Sequence, residues 1–379
     1  MRHAFRATTA VLALVLLGAG FAAVASAQST SSPGVPPQGA NLLNPAVSVV
    51  GWFQGEAGDQ LTEEGSSAFS LREAELGLQA NVDPYSRADF FISVSPAEGI
   101  DLEEGYLTLH SLPGGLIAKL GKFRGNFGKF NRTHPPETVF ADRPLAAERF
   151  FGEEGLSAEG LSASWLVPHL PFYTNLDGEI TNTPGFDGEP AAFAPYRGKD
   201  LLFLGRLSTF FDLSEASNVA IGGSYANGAN GPIGIDSLSL LLSDPGALRA
   251  RVVGGDVTFR WKNPRRAIYR SFIAQVEWMQ RTAETPDGPD VTRTGGYAWG
   301  DFQFARRWRV GGRYDWSDNL DAAEEKAATG VLGFLTYNPS EFASMSTQVR
   351  RRKLEGDARV TEYYFKTTFN IGPHGAHPF

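Results

Sequence analysis

Apolar and polar residues alternate with a period of two along most of this chain, and that spacing restricts its fold more than any other feature. In 74–83, Ala74, Leu76, Leu78, Ala80 and Val82 interleave with Glu75, Gly77, Gln79, Asn81 and Asp83. Successive side chains of a strand point to opposite faces, so such a segment has one apolar and one polar side. Val253, Gly255, Val257, Phe259 and Trp261 repeat the pattern against Gly254, Asp256, Thr258, Arg260 and Lys262. Trp308, Val310, Gly312, Tyr314 and Trp316 do so against Arg307, Arg309, Gly311, Arg313 and Asp315, and Tyr363, Phe365, Thr367, Phe369 and Ile371 against Glu362, Tyr364, Lys366, Thr368 and Asn370. The rule predicts about sixteen strands, near 46–57, 69–82, 85–96, 102–112, 115–125, 155–167, 170–181, 200–212, 217–227, 250–262, 267–282, 294–305, 307–317, 329–338, 342–353 and 360–371. The segments 115–125 and 329–338 alternate too weakly to assign an inward face.

Connections alternate as well. Short ones at 83–84, 112–115, 167–169, 212–217, 262–267, 306 and 338–341 are interleaved with longer ones at 58–68, 126–154, 182–199, 228–249, 283–293, 318–328 and 354–359, and only 97–101 breaks the order. Bacterial outer-membrane barrels have this asymmetry, with short periplasmic turns and long external loops. The apolar rows are rich in aromatics (Trp165, Trp261, Trp278, Trp308, Trp316, Tyr314, Phe365, Phe369), as a lipid-facing belt requires, while the opposite rows carry charge. A soluble sandwich explains solvated charged rows but not the two-sided loop lengths. The expected fold is therefore all-β, a transmembrane antiparallel barrel at 45–379.

The N-terminus supports export. Arg2, His3 and Arg6 precede an apolar run from Ala10 to Ala25, and Ala25-Ser26-Ala27 supplies an A-x-A cleavage site, so 1–27 reads as a signal peptide and 28–44, rich in Ser, Pro and Gly, as a flexible leader. The run is shorter than the ~20 residues a spanning helix needs. With 34 Lys plus Arg against 42 Asp plus Glu, a net charge of -8, no nucleic-acid partner is expected. The absence of Cys excludes thiolate metal sites, a Cys nucleophile and disulfides. No G-x-S-x-G or comparable cue appears, so the chain is not expected to be an enzyme.

The segments LREAELGLQANVDPYSRADFFISV (71–94), LGKFRGNFGKFNRTHPPE (120–137), RFFGEEGLSAEGLSASWLVP (149–168) and IGPHGAHPF (371–379) resemble porin-like bacterial outer-membrane proteins, whose nearest characterised relatives are the phosphate-selective porins. Similar sequences are often labelled zinc-regulated TonB-dependent outer-membrane receptors, a type that needs about 22 strands and a plug. The phosphate-porin resemblance implies sixteen strands, a homotrimer and an anion-selective lumen, though no matching basic ladder is present to carry over. Porins of this kind fold the loop after the fifth strand into the lumen.

The expected function is a channel for passive uptake of small hydrophilic solutes, with at most a modest preference for anions. A structural or adhesive barrel and an outer-membrane enzyme are the alternatives. Parity assigns Arg260, Arg307, Arg309, Arg313, Lys366, Asp256, Asp315, Glu277 and Glu362 to the lumen. In the loop 126–154, Arg132, His134, Asp142, Arg143 and Arg149 are constriction candidates, set among Glu148, Glu153 and Glu154. His374 and His377 form an H-x-x-H without a third ligand, so no metal site and no cofactor are expected. Gly125-Asn126-Phe127-Gly128-Lys129 lacks phosphate-loop spacing and reads as a strand end. The terminal Phe379 fits the signal read by the barrel-assembly machinery; the remaining partners are outer-membrane lipid and the solutes.

Overall fold

A computed structural model describes residues 45–59, 68–96, 99–184, 191–195, 200–230, 248–266, 268–285, 288–320, 327–353 and 359–372. The signal peptide, the leader, His374, His377 and Phe379 lie outside them. The strands are β1 (Ala46–Gly58), β2 (Phe69–Asp83), β3 (Ser86–Ser95), β4 (Gly99–Leu109), β5 (Leu116–Arg124), β6 (Ser157–Leu166), β7 (Tyr173–Asn182), β8 (Leu201–Ser214), β9 (Ser217–Ala229), β10 (Arg249–Lys262), β11 (Ser271–Ala283), β12 (Val291–Ala305), β13 (Trp308–Asp318), β14 (Ala327–Ser340), β15 (Ala343–Lys353) and β16 (Arg359–Ile371). A short helix α1 (Leu145–Phe151) lies between β5 and β6.

Each strand pairs antiparallel with its sequence neighbours, and β1 pairs with β16 from Val49↔Ile371 to Gly58↔Glu362, so the ladder closes into a barrel with no free edge. Closure satisfies every strand's backbone within the sheet, as hydrocarbon demands. At the seam Gly51 faces Phe369, whose ring occupies the space a Cβ would take.

Alternation translates directly into two faces. Val253, Val257, Val276, Val310, Tyr314, Val331, Val349 and Phe369 are exposed on the outside, while Asp256, Glu277, Arg313, Asp315, Glu362 and Lys366 are buried inside. β14 resisted a parity reading because both its faces are apolar. Val331 and Leu335 point out, whereas Leu332 and Phe334 are buried inside beneath residues of the 126–154 loop. The same holds at β8, where Leu202 and Leu204 are buried and Leu201, Phe203 and Leu207 exposed. The inner wall is thus not uniformly polar, a correction to the sequence reading. It is apolar where protein rather than water covers it.

Several boundaries also differ, as three strands illustrate. β4 begins at Gly99 and ends at Leu109, three residues ahead of the expected strand, because the turn occupies 110–115 with Gly114 and Gly115 at positive φ. β7 begins at Tyr173 because Val167 N donates to Thr174 O around the intervening turn. β11 begins at Ser271 because the Asn263 side chain accepts from Arg265 N and Arg266 N and holds a longer turn.

Val257 pairs with Ile221 and Val276, and all three are exposed in mid-strand. A Val257→Arg substitution should destabilise the barrel by about 2–4 kcal/mol if this row sits at the bilayer midplane. Urea unfolding in lipid vesicles measures it, and an unchanged midpoint would contradict a lipid-facing exterior.

Candidate functional site: the loop inside the barrel

The chain between β5 and β6 turns into the barrel and is bonded to its inner wall almost all the way round. Asn126 N donates to Glu179 of β7 at 3.2 Å, and Gly128 N donates to Ser224 Oγ of β9 at 3.1 Å. Lys129 N and Phe130 N both donate to Glu277 Oε2 of β11, at 3.0 and 3.2 Å. Gly128 has φ +62° and lies so close to the Glu277 carboxylate that a Cβ would overlap it, so this crossing requires glycine. The 125–129 segment is the hinge into the barrel, just past the strand end. Asn131 closes the neck of the loop: its amide donates to Gly125 O and Leu156 O, and its Oδ1 accepts from Leu156 N.

Beyond the neck the loop is held by buried charges. Lys366 of β16 donates to Pro135 O, Thr138 O and Phe140 O at 3.0, 2.8 and 2.9 Å. Gln348 of β15 donates to Val139 O and accepts from Ala141 N. Asp142 is bridged by Arg313 of β13 at 2.6 Å and by Arg350 of β15. Burial works against its charge, yet the two guanidiniums hold its carboxyl below the usual carboxylate range. Leu145 N donates to Asp315, and Arg149 donates to Ser317 O.

Two apolar clusters then fill space inside the barrel. Phe127, Phe150, Phe151, Leu156 and Phe193 pack on Leu202, Leu204, Val252 and Met279 of the wall; Phe130 and Phe140 pack on Tyr297, Leu332 and Phe334.

His134 enters the wall at β2 and β4. Its Nδ1 is 2.8 Å from Glu103 and 2.9 Å from Glu75, and its Nε2 is 2.9 Å from Glu104. Burial and the neighbouring Arg124 oppose a charge on the ring, but the carboxylates outweigh them and hold its pKa well above the ordinary histidine value. Consecutive residues Glu103 and Glu104 both face inward because β4 shifts register there: Phe91 pairs with Glu104 and Ile92 with Leu102. Arg124 bonds Glu103 at 2.5 Å and also reaches Glu154.

Most of the sequence-selected residues are already engaged. Arg313 bridges Asp142 and Asp315, Glu362 bridges Arg350 and Arg352, Asp256 binds Arg206 at 2.7 Å, and Glu277 also accepts from Tyr297. Arg309 pairs with Asp301 at 2.6 Å. Arg307 donates to Tyr337 on the exposed turn side, and Arg260 is half-buried. Arg132 is exposed, donating to Asn126. Arg143 is buried over the Phe130 ring, its three nitrogens without hydrogen bonds, and its pKa falls to about 10 through burial and the nearby Arg124. Sequence reasoning missed Glu75, Glu103, Glu104, Arg124, Arg206, Gln348 and Arg350. Inward parity could have found Glu75, Gln348 and Arg350, which alternate with outward Leu76 and Val349, but not Glu103 and Glu104, which adjoin each other at a register shift.

On the short-turn side of the loop a cavity of about 820 Å³ remains, lined by Lys366, Glu137, Val139, Asp301, Arg306, Arg307, Arg309 and Glu341 among others. It runs from the turns to the loop's 136–139 segment.

No protein-family model matches the sequence. An uncharacterized protein of Aquifex aeolicus (strain VF5) is 33% identical over 345 residues, covering 82% of this chain and 70% of the relative. Among solved structures, Pseudomonas putida OprB matches with a TM-score of 0.55 at 10% identity over 86% of this chain and 94% of that one. An anion-selective porin from Comamonas acidovorans gives 0.54 at 11% identity over 86% and 100%. The trimer form of OmpT, an outer-membrane protein of Vibrio cholerae, gives 0.54 at 10% identity over 86% and 100%. These likenesses show the porin-type sixteen-stranded fold, and the apolar outer belt fits the same setting, a bacterial outer membrane.

Replacing Asp142 with Ala should leave Arg313 and Arg350 each short of one acceptor, at a cost of about 1–3 kcal/mol. The expected result is faster limited proteolysis within 130–150 in a barrel that keeps its heat-modifiable migration. Unchanged proteolysis would mean that the bridge does not hold the loop.

Proposed function

The chain belongs to one family with the Aquifex aeolicus protein, and from its porin-type barrel we propose that it is an outer-membrane channel for passive uptake of small hydrophilic solutes, narrowed by the in-folded 126–154 loop. The observation that carries this reading is the cavity on the turn side, which has a mixed-charge lining and ends against the loop. A solute entering from that side meets Lys366, Arg307 and Arg309 together with Glu137, Asp301 and Glu341. Such a lining replaces part of a solute's hydration without holding it tightly.

Selectivity is proposed to be weak. The inward cations are largely paired with inward carboxylates, which leaves little net field, and a modest preference for anions is the most that the phosphate-porin resemblance supports here. Sixteen strands fit that resemblance better than the TonB-dependent label, whose barrels have about 22. A homotrimer is proposed on the same kinship, and no catalytic role is assigned.

A second reading, a structural barrel with a closed lumen, draws on a specific observation: loop contacts reach β2, β4, β7, β9, β11, β13, β15 and β16, and two apolar clusters lie inside. Planar-bilayer recording separates the two. The channel reading expects discrete single-channel steps, with the reversal potential in a salt gradient moving toward cation preference in Arg307→Glu/Arg309→Glu. Steps with an unmoved potential would remove these side chains from the conducting path, and absence of steps in the parent would favour the structural barrel.

A further inference from the structure

The charges around His134 do more than pin a loop. One imidazole nitrogen can give its proton to one acceptor, and Glu103 at 2.8 Å takes that place for Nδ1. Glu75 Oε2 sits 2.9 Å from the same nitrogen yet forms no hydrogen bond, although the residue is only 3% exposed. Glu73 Oε1 is likewise without a partner in a residue 7% exposed, and its carboxyl reaches Glu103. Buried carboxyl groups facing one another need positive charge or shared protons between them, and here the His134 ring and Arg124 bring two cationic groups against Glu73, Glu75, Glu103 and Glu104. Arg124 supplies only part of that compensation, since Glu103 and Glu104 both lie against it and Glu154 takes its outer side.

The geometry points to a binding site for one divalent transition-metal cation, of the Mn²⁺ or Zn²⁺ class, held by His134 Nδ1, Glu75 and Glu103. One ligand atom from each of these three residues lies within 4.8 Å of the others, and all three residues are buried. Nε2 faces Glu104 at 2.9 Å, the outer hydrogen bond that metal-binding histidines use to fix the ring, so Nδ1 coordinates once the ion displaces the proton it otherwise gives to Glu103. The register shift in β4 is what turns Glu103 and Glu104 inward together, one toward the metal position and one toward the far side of the ring. Glu73 stands by as a further oxygen donor. One imidazole with carboxylates excludes a soft Cu(I) site and disfavours Ca²⁺, which takes six to eight oxygens. Bound there, the ion ties the tip of the in-folded loop to β2 and β4. The inference stands whether or not the barrel conducts.

The test uses the full, untagged mature chain refolded in detergent, carrying His374→Ala/His377→Ala so that the tail contributes no imidazole, and stripped with chelator. Titration with Mn²⁺ read by electron paramagnetic resonance, and with Zn²⁺ by calorimetry, should give one ion per chain. Pulsed resonance of the Mn²⁺ form should show modulation from a coordinated ¹⁴N. Glu75→Gln should weaken binding about tenfold or more, Glu104→Gln should weaken it about tenfold through loss of ring orientation, and His134→Gln should abolish the ¹⁴N signal while heat-modifiable migration persists. Absence of stoichiometric binding in the folded parent, or equal binding in Glu75→Gln, overturns the proposal. Should His134→Gln fail to fold, bound Mn²⁺ without ¹⁴N modulation in the parent overturns it just as well.

Discussion

Hydrocarbon offers backbone amides no partner, and the rest of this molecule follows from that constraint. The ladder has to close, and the β1–β16 pairing closes it. Closure in turn gives every strand an outer and an inner row. The outer row meets lipid and can be apolar without exception, while the inner row is answerable only to what fills the barrel. Here the filling is the chain's own loop, so the inner row is charged where it binds loop carbonyls, carboxylates and amides, and apolar where it meets Phe127, Phe140, Phe150 and Phe151.

The loop is held by charge rather than by secondary structure. α1 spans only Leu145–Phe151, and the remainder is short turns. Lys366 compensates for its burial with three carbonyls, Glu277 with two backbone amides and a tyrosine hydroxyl, and Asp142 with two guanidiniums. Removing one member of such a set leaves the others buried and short of partners, which makes the loop's position specific. Strong fixed charges are thereby spent on structure. The remaining lining, around the turn-side cavity, is mixed in sign, and that is the physical basis for proposing weak selectivity.

The barrel was legible because a bilayer enforces parity along its strands: Val253 and Val257 lie outside with Asp256 and Thr258 inside, and Val310 and Tyr314 outside with Arg313 and Asp315 inside, as their spacing predicts. Parity blurred in β14, where an inner apolar row answers the loop, and boundaries slipped where side chains such as Asn263 lengthened a turn. The histidine site was not legible. Its residues come from β2, β4, β5 and the loop, separated by long stretches of chain, and a register shift makes two adjacent glutamates face the same way. No motif spacing encodes that, and alternation argues against it.

On the proposed reading, passage through the barrel is controlled where the cavity meets the loop at Val139. Because the chain contains no Cys, a single Val139→Cys variant can be labelled without background. In a planar bilayer, a charged methanethiosulfonate reagent added on the turn side should reduce the single-channel current in steps. Full current after labelling confirmed by mass spectrometry would contradict a conducting path that runs along the loop.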